Sequence, residues 1–334
     1  MDTKHKQLKK KIESSKKILI VSHRGPDMDA FCSMLLTKEF LNIYFPSKGV
    51  IIKAKQLPSF NIPRMHDITV VKTLTEGDED LIIVVDAGEI KLVCDEVDNL
   101  DKTSKDIVII DHHQTIIDNG HLIINDNRSS ASEQVISSFK EILGKQFKLT
   151  DEIAQLGQYG INADTGRFLY ETTTPETLRL YADLYEFSPI DLEEVTYKVN
   201  KFPKESTEII ARLLDRIKIV GDMMYTYIGL DDIEKWKDPY IGSAVMFFKN
   251  HILRYVQGVH WGFVVEPSTK EDNVWYATFR GTKGYQRVDK IAEGLNGGGH
   301  MYASGAKIQY SESKTSEEVI QDVLESIKKH TIDS

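Results

Sequence analysis

The sequence predicts an α/β fold: an N-terminal domain with a mainly parallel sheet flanked by helices, a helical linker, and a smaller mixed α/β C-terminal domain. Short apolar runs at Ile18 to Val21, Leu81 to Val85 and Ile107 to Ile110 have the length and β-branched content of strands buried on both faces. Helical patterns alternate with them, as they do where helices cover a parallel sheet. Past about Glu186 the character breaks: "EFSPIDLEEVTYKVNKFPKESTEII" is charged, holds two prolines and leads into a new series of strands.

In chain order, "MDTKHKQLKKKIESSKK" reads as an opening helix whose Lys9, Lys10 and Lys11 form a solvated face. No apolar stretch long enough for a signal peptide or membrane span follows it. Ala30 to Tyr44 carries Phe31, Met34, Leu35 and Leu41 on one helical face. Ser132 to Leu143 does the same with Val135, Ile136, Phe139, Ile142 and Leu143 before Gly144, and a further helical segment begins at Thr150 and runs to Asn162. The first domain is expected over residues 1–186, the linker over 187–215 and the second domain over 216–334. In the last, Met223 to Leu230, Val256 to Val265 and Asn273 to Phe279 read as strands, followed by a helix from about Arg287 to Leu295 and the run "NGGGH". A strand at Ala303 to Tyr310 and a closing helix, opened by Thr315 and Glu318 at capping-box spacing, complete the expectation.

Composition narrows the function. At 334 residues, 41% apolar and 28% charged, the chain has the makings of two ordinary globular domains. Forty-two basic against 51 acidic side chains give a net charge of −9, which argues against a broad basic surface that coats nucleic acid but leaves room for a small or end-held anion bound through metal ions. Cys32 and Cys94 are too few for a disulfide framework or a thiolate zinc site, so a reducing cytoplasm is expected.

Chemistry concentrates where the strands end, the place at which open α/β sheets gather ligand groups. "VSHRGPDMDAFCS" sets His23, Asp27 and Asp29 on a tight loop stiffened by Pro26; capping of the next helix is the competing use of these aspartates. "LIIVVDAGE" ends the second strand on Asp86, and "IVIIDHHQT" ends the third on Asp111, His112 and His113. "GINADTGRFLYETTTPET" delivers Asp164 on a glycine-flanked turn. Oxygen and imidazole donors without thiolate suit Mn²⁺ or Mg²⁺ better than a structural zinc. The six candidate ligands exceed what one ion needs while keeping water, and suit two ions about 3.5–4 Å apart that share a carboxylate, acidify a water to hydroxide and serve phosphoester hydrolysis.

The segments "SHRGPDMDA", "VVDAGE", "IIDHHQT" and "NADTGRF", in this order, resemble the Asp-His-His (DHH) phosphoesterase superfamily. "FRGTKGYQRVDKIAEGLNGGGHMYASGAKI" resembles its associated C-terminal domain, and the layout is similar to the branch of stand-alone oligoribonucleases and 3′-phosphoadenosine 5′-phosphate (pAp) phosphatases. The resemblance implies one Mn²⁺ held by His23, Asp27 and Asp86 and another by Asp29, Asp86, His112 and Asp164, with Mg²⁺ or Co²⁺ as alternative ions. It implies that His113 faces the scissile phosphate, with Asp111 behind it orienting the loop or an imidazole. Arg280, Gly297, Gly298, Gly299 and His300 would grip the substrate from the second domain, in a cleft that admits ends and short pieces. Cys32 stands where the family commonly has glycine, which either tightens helix packing or exposes a thiol near the metals. Short RNA, pAp and the linear dinucleotide pApA are the expected substrates; long duplex and membrane are not expected partners, and a homodimer is left open. The rivals are a pyrophosphatase of the same superfamily and a non-catalytic nucleotide-binding relative.

Overall fold

The computed structural model describes residues 1–95, 98, 100, 103–113 and 120–330, with the side chains of residues 199, 200 and 300 not described. The chain divides into two compact units, Met1–Val195 and Thr196–Ser334.

In the first unit the chain forms α1 (Thr3–Ser14), β1 (Lys17–Val21), α2 (Met28–Tyr44), β2 (Gly49–Ala54), β3 (Ile68–Val70), β4 (Leu81–Val85), β5 (Asp106–Ile110) and β6 (Leu122–Ile124). Then follow α3 (Ala131–Leu143), α4 (Asp151–Asp164), α5 (Pro175–Phe187) and α6 (Leu192–Asn200), whose last residues enter the second unit. The six strands form one sheet in the order β3-β2-β1-β4-β5-β6, every neighbouring pair parallel. The three apolar runs are its central strands. Both faces are covered, so alternate residues serve two cores: Ile18, Ile20, Ile83, Val85 and Ile110 pack under α2, α3 and α4, while Leu19, Val21, Ile82, Val84 and Ile109 face the opposite layer. This is the flanked parallel sheet that the sequence predicts.

Register positions the site. Val21 lies opposite Val84, and Val85 opposite Ile110, so β1, β4 and β5 end side by side. Whatever follows these strands collects along one edge. The layer above is held by well-packed aromatics: Phe40 and Phe139 are fully buried and stacked, ring centroids 4.7 Å apart, and truncating either to Ala would cost about 3–5 kcal/mol.

The second unit adds α7 (Ser206–Asp215), β7 (Lys218–Val220), β8 (Met223–Tyr227), α8 (Leu230–Lys235), α9 (Asp238–His251), β9 (Trp261–Pro267), β10 (Val274–Gly281), α10 (Val288–Glu293), β11 (Gly298–His300), β12 (Ala303–Gln309) and α11 (Ser316–His330). Its sheet runs β11-β12-β10-β9-β8-β7, antiparallel except for the β8–β9 pair. One face carries Phe263, Val265, Trp275, Ala277 and Phe279 against α10 and α11; the other carries Met224 and Val264 against α7 and α9. The stretch read as linker is therefore no free connector in its second half, because Ile209, Ile210 and Leu213 of α7 belong to this core. The expected strand from Val256 begins only at Trp261: Gly258, with φ +82°, turns the chain first. Thr315 and Glu318 form the expected capping box, each backbone N–H donating to the other's side chain.

Candidate metal centre

Asp27 and Asp29 each have a structural partner as well as a place in the site. Asp27 is the N-cap of α2, its Oδ1 accepting from the Ala30 N–H at 3.0 Å. Asp29 is fully buried, and its two oxygens accept from the Ala131 N–H at 2.6 Å and the Ser132 N–H at 3.0 Å, at the start of α3. A carboxylate offers about four lone-pair directions, so both aspartates retain acceptor capacity. Capping and ligation are compatible here; the first aims the carboxylate for the second.

Asp86 follows β4 in the left-handed region, at φ +54°, an uncommon conformation for an aspartate and one that marks functional turns. Its carboxylate lies 3.6 Å from His23 Nε2 on one oxygen and 3.4 Å from His112 Nε2 on the other. His112 Nε2 is also 3.4 Å from Asp164, the last residue of α4. These separations are long for hydrogen bonds and short for unrelated groups. Ligand atoms of His23, Asp27 and Asp86 lie within 4.8 Å of one another, as do those of Asp29, His112 and Asp164, and those of Asp86, Asp111, His112 and His113. All six expected metal ligands thus meet at one sheet edge.

Whether divalent cations fit is answered by an orphan. His112 Nε2 is buried without a hydrogen-bond partner, although it faces two carboxylates. A buried imidazole nitrogen aimed at an oxygen cluster, slightly beyond hydrogen-bond distance, is the arrangement of two groups that ligate a common ion. The electrostatics agree. Burial resists a proton on His112, yet Asp86, Asp164 and Asp29 around it hold its pKa up at about 10. Burial likewise raises Asp86, but the facing His112 and His23 overcome it and bring its pKa down to about 2. Burial and the Asp86 charge push Asp29 well above the usual carboxylate range, and burial, opposed by His112, lifts Asp164 to about 6. So many carboxylates in one buried pocket repel each other, and positive charge relieves it.

The two adjacent histidines separate. The His112 side chain is 9% exposed and the His113 side chain 35%. His113 Nδ1 lies 2.8 Å from Asp111 Oδ1, and Asp111 is fully buried; this pairing raises the His113 pKa, against burial. Asp111 therefore orients the His113 ring. Cys32 is buried, with its thiol raised well above its ordinary range first by burial and then by Asp29 and Asp27, so it packs α2 and is not an exposed thiol.

In the second unit, Arg280 is the last residue but one of β10, with one guanidinium nitrogen donating to the Phe279 carbonyl at 2.9 Å. The three glycines have separate roles. A Cβ at Gly297 would collide with the Gly305 carbonyl and Ala306, and one at Gly299, where φ is +136°, with the Ala303 carbonyl; only Gly298 faces open space. The Gly297 N–H is taken by the Ala292 carbonyl at 2.7 Å, so that amide is not available to an anion. The His300 side chain lies outside the described residues.

Sequence reasoning missed what supports Asp29. Gly160 of α4 sits against it: a Cβ there would meet Ser132 Oγ and, at 2.7 Å, Asp29 Oδ1. The only sequence trace was Gly157 and Gly160, three apart on one helical face.

Residues 17–161 match the family model described as the DHH family, N-terminal domain. The match covers most of the first unit, which is similar there to the DHH family of phosphoesterases. The chain is 26% identical over 98% of its length, and 100% of the relative's, to the probable bifunctional oligoribonuclease and PAP phosphatase NrnA of Streptococcus mutans. It is 27% identical to the bifunctional oligoribonuclease and PAP phosphatase NrnA of Bacillus subtilis over 87% of this chain and 89% of that one. Among solved structures, an exopolyphosphatase-related protein from Bacteroides fragilis superimposes with a TM-score of 0.82 over 98% of this chain and 96% of its own, at 23% identity, a likeness of fold. No described helix is long and apolar enough to cross a membrane.

Proposed function

We propose that the chain hydrolyses short oligoribonucleotides, linear dinucleotides such as pApA, and pAp, with two divalent cations, Mn²⁺ being the favoured ion. The observation that carries this reading is Asp86: it stands between His23 and His112 and joins two groups of donors, His23–Asp27 and Asp29–His112–Asp164, each sized for one ion. Cations bound there would neutralise the phosphoryl group and acidify the attacking water. His23, Asp27 and Asp86 hold the first ion, and Asp29, Asp86, His112 and Asp164 the second.

His113, set by Asp111 and more exposed than His112, contacts the phosphate or protonates the leaving oxygen. Arg280, Gly297, Gly298, Gly299 and His300 are the residues of the second unit proposed to bind substrate. The names of the relatives support the substrate class, as does the net charge of −9.

The test is a panel of pAp, pApA, short RNAs and inorganic pyrophosphate, each with Mn²⁺, Mg²⁺ and Co²⁺. Hydrolysis of the nucleotides, lost in Asp86→Ala, is expected. Rapid orthophosphate release from pyrophosphate alone would replace this reading with that of a pyrophosphatase.

A further inference from the structure

Strand β6 reaches into the site from the edge of the first sheet. Its last residue, Ile124, accepts the Asp111 N–H on its carbonyl at 3.0 Å, so the chain is still registered to β6 where β5 has ended and the Asp111–His112–His113 turn begins. The next contact comes from Asn125, the first residue after β6 and half-buried. Its Nδ2 donates to the His113 carbonyl at 2.8 Å, and its Oδ1 accepts the Asn127 N–H at 2.9 Å.

These two bonds fix the amide. A carbonyl needs a donor and an N–H needs an acceptor, so one orientation of the Asn125 side chain satisfies both. Asn127 stands in the left-handed region at φ +54°, which asparagine tolerates better than most residues, and so folds the loop back onto the Asn125 side chain. The residue between them ties the loop to a helix. The Asp126 N–H donates to Gln134 Oε1 at 2.7 Å, and Gln134 Nε2 donates to Asp126 Oδ2 at 2.9 Å, with Gln134 fully buried in α3. Asn125 is thereby fixed to the helix whose first residues also hold Asp29.

His113 is held at two points: Asp111 engages its ring at Nδ1, and Asn125 engages its main chain at the carbonyl. A single anchor leaves a residue able to pivot about it, whereas two anchors fix where the second ring nitrogen points. That matters for a group acting on a phosphate, because a misplacement of about 1 Å can lower a rate about 100-fold.

We infer that Asn125 is a positioning residue for His113, acting through the main chain while Asp111 acts through the ring. The inference rests on the proposed part of His113 in phosphoester hydrolysis, and it assigns a role to a residue outside the six expected metal ligands.

Steady-state hydrolysis, Mn²⁺ calorimetry and NMR of the full-length chain test it together. In Asn125→Ala, kcat for pApA should fall roughly tenfold, the effect of one lost hydrogen bond on a placed group, with KM and Mn²⁺ affinity kept within about twofold. The same substitution made in a His113→Ala background should lower kcat no further, since its effect passes through the missing ring; a merely structural role would subtract the same factor in both backgrounds. In Mg²⁺-loaded protein labelled at histidine Cε1, the His113 signal, identified by its loss in His113→Ala, should shift or broaden in Asn125→Ala while those of His23 and His112 stay in place. An unchanged kcat in Asn125→Ala, a full further loss in the His113→Ala background, a loss of Mn²⁺ affinity equal to the loss of turnover, or an unmoved His113 signal overturns the inference. Failure of wild type to hydrolyse any nucleotide would sink the proposed function instead, and the histidine signals would still decide whether Asn125 places His113.

Discussion

His112 and His113 are adjacent in the chain and differ in their neighbours. The first is buried between Asp86 and Asp164 with an orphan nitrogen; the second is more exposed and tied through Nδ1 to Asp111. Substituting His112 with Ala should weaken Mn²⁺ binding by more than roughly tenfold, since removing even groups that only support ligands costs that much. His113→Ala should leave Mn²⁺ affinity within about threefold while turnover falls roughly 100-fold or more, the worth of a positioned proton donor. Asp111→Asn should follow His113→Ala in both measurements, because its effect passes through the ring it orients. Calorimetric titration of Mn²⁺ beside steady-state hydrolysis checks all three; equal loss of metal in the two histidine variants would end the division.

Elements explain why some of this was legible from sequence. Strands β1, β4 and β5 were readable because burial on both faces makes them continuous apolar runs, and their polar ends then announced the site. Strands β2, β3 and β6 were not, being short or partly exposed, and α9 hides behind a lysine–aspartate–proline start and a buried face that does not repeat cleanly. The support of Asp29 by α3 and α4 was invisible because it depends on contacts more than a hundred residues apart, between Asp29 and Ala131 and Ser132. That support makes a prediction. In a helix, glycine to alanine gains about 1 kcal/mol of propensity, so the sign depends on space. At Gly157 the new methyl meets only the tips of Ile136 and Leu184, at 2.7 and 2.8 Å, which are able to shift. At Gly160 it meets Ser132 and the Asp29 carboxylate, both pinned at the start of α3. Gly157→Ala should be near neutral in thermal unfolding, whereas Gly160→Ala should lose roughly 1–3 kcal/mol and weaken Mn²⁺ binding as well.

Taken whole, the molecule carries its net charge of −9 unevenly, with a crowd of buried carboxylates in the first unit and half-buried cations in the second. Charges held away from water make stability depend on pH, and Glu266 gives the clearest case away from the metal ligands. Its neighbours are Lys249, which favours ionisation, and Asp238 of α9, which opposes it; burial decides, and the pKa rises from 4.5 to about 7. An acid whose pKa is raised by folding binds more protons folded than unfolded in the interval between the two values. Its contribution to stability is therefore fully present below about pH 4.5 and is lost as pH rises through about 7. Glutamine keeps the size and stays neutral throughout. Glu266→Gln should match wild type in thermal unfolding near pH 4, where the carboxyl is protonated in the folded and largely so in the unfolded chain, and exceed it near pH 8, where only the wild-type carboxylate is ionised. A variant that melts lower than wild type at pH 8 would instead show that the Lys249 charge outweighs burial at this carboxyl. Melting temperatures of the two proteins across this range give the sign directly, and with it whether that part of the second sheet is short of negative charge.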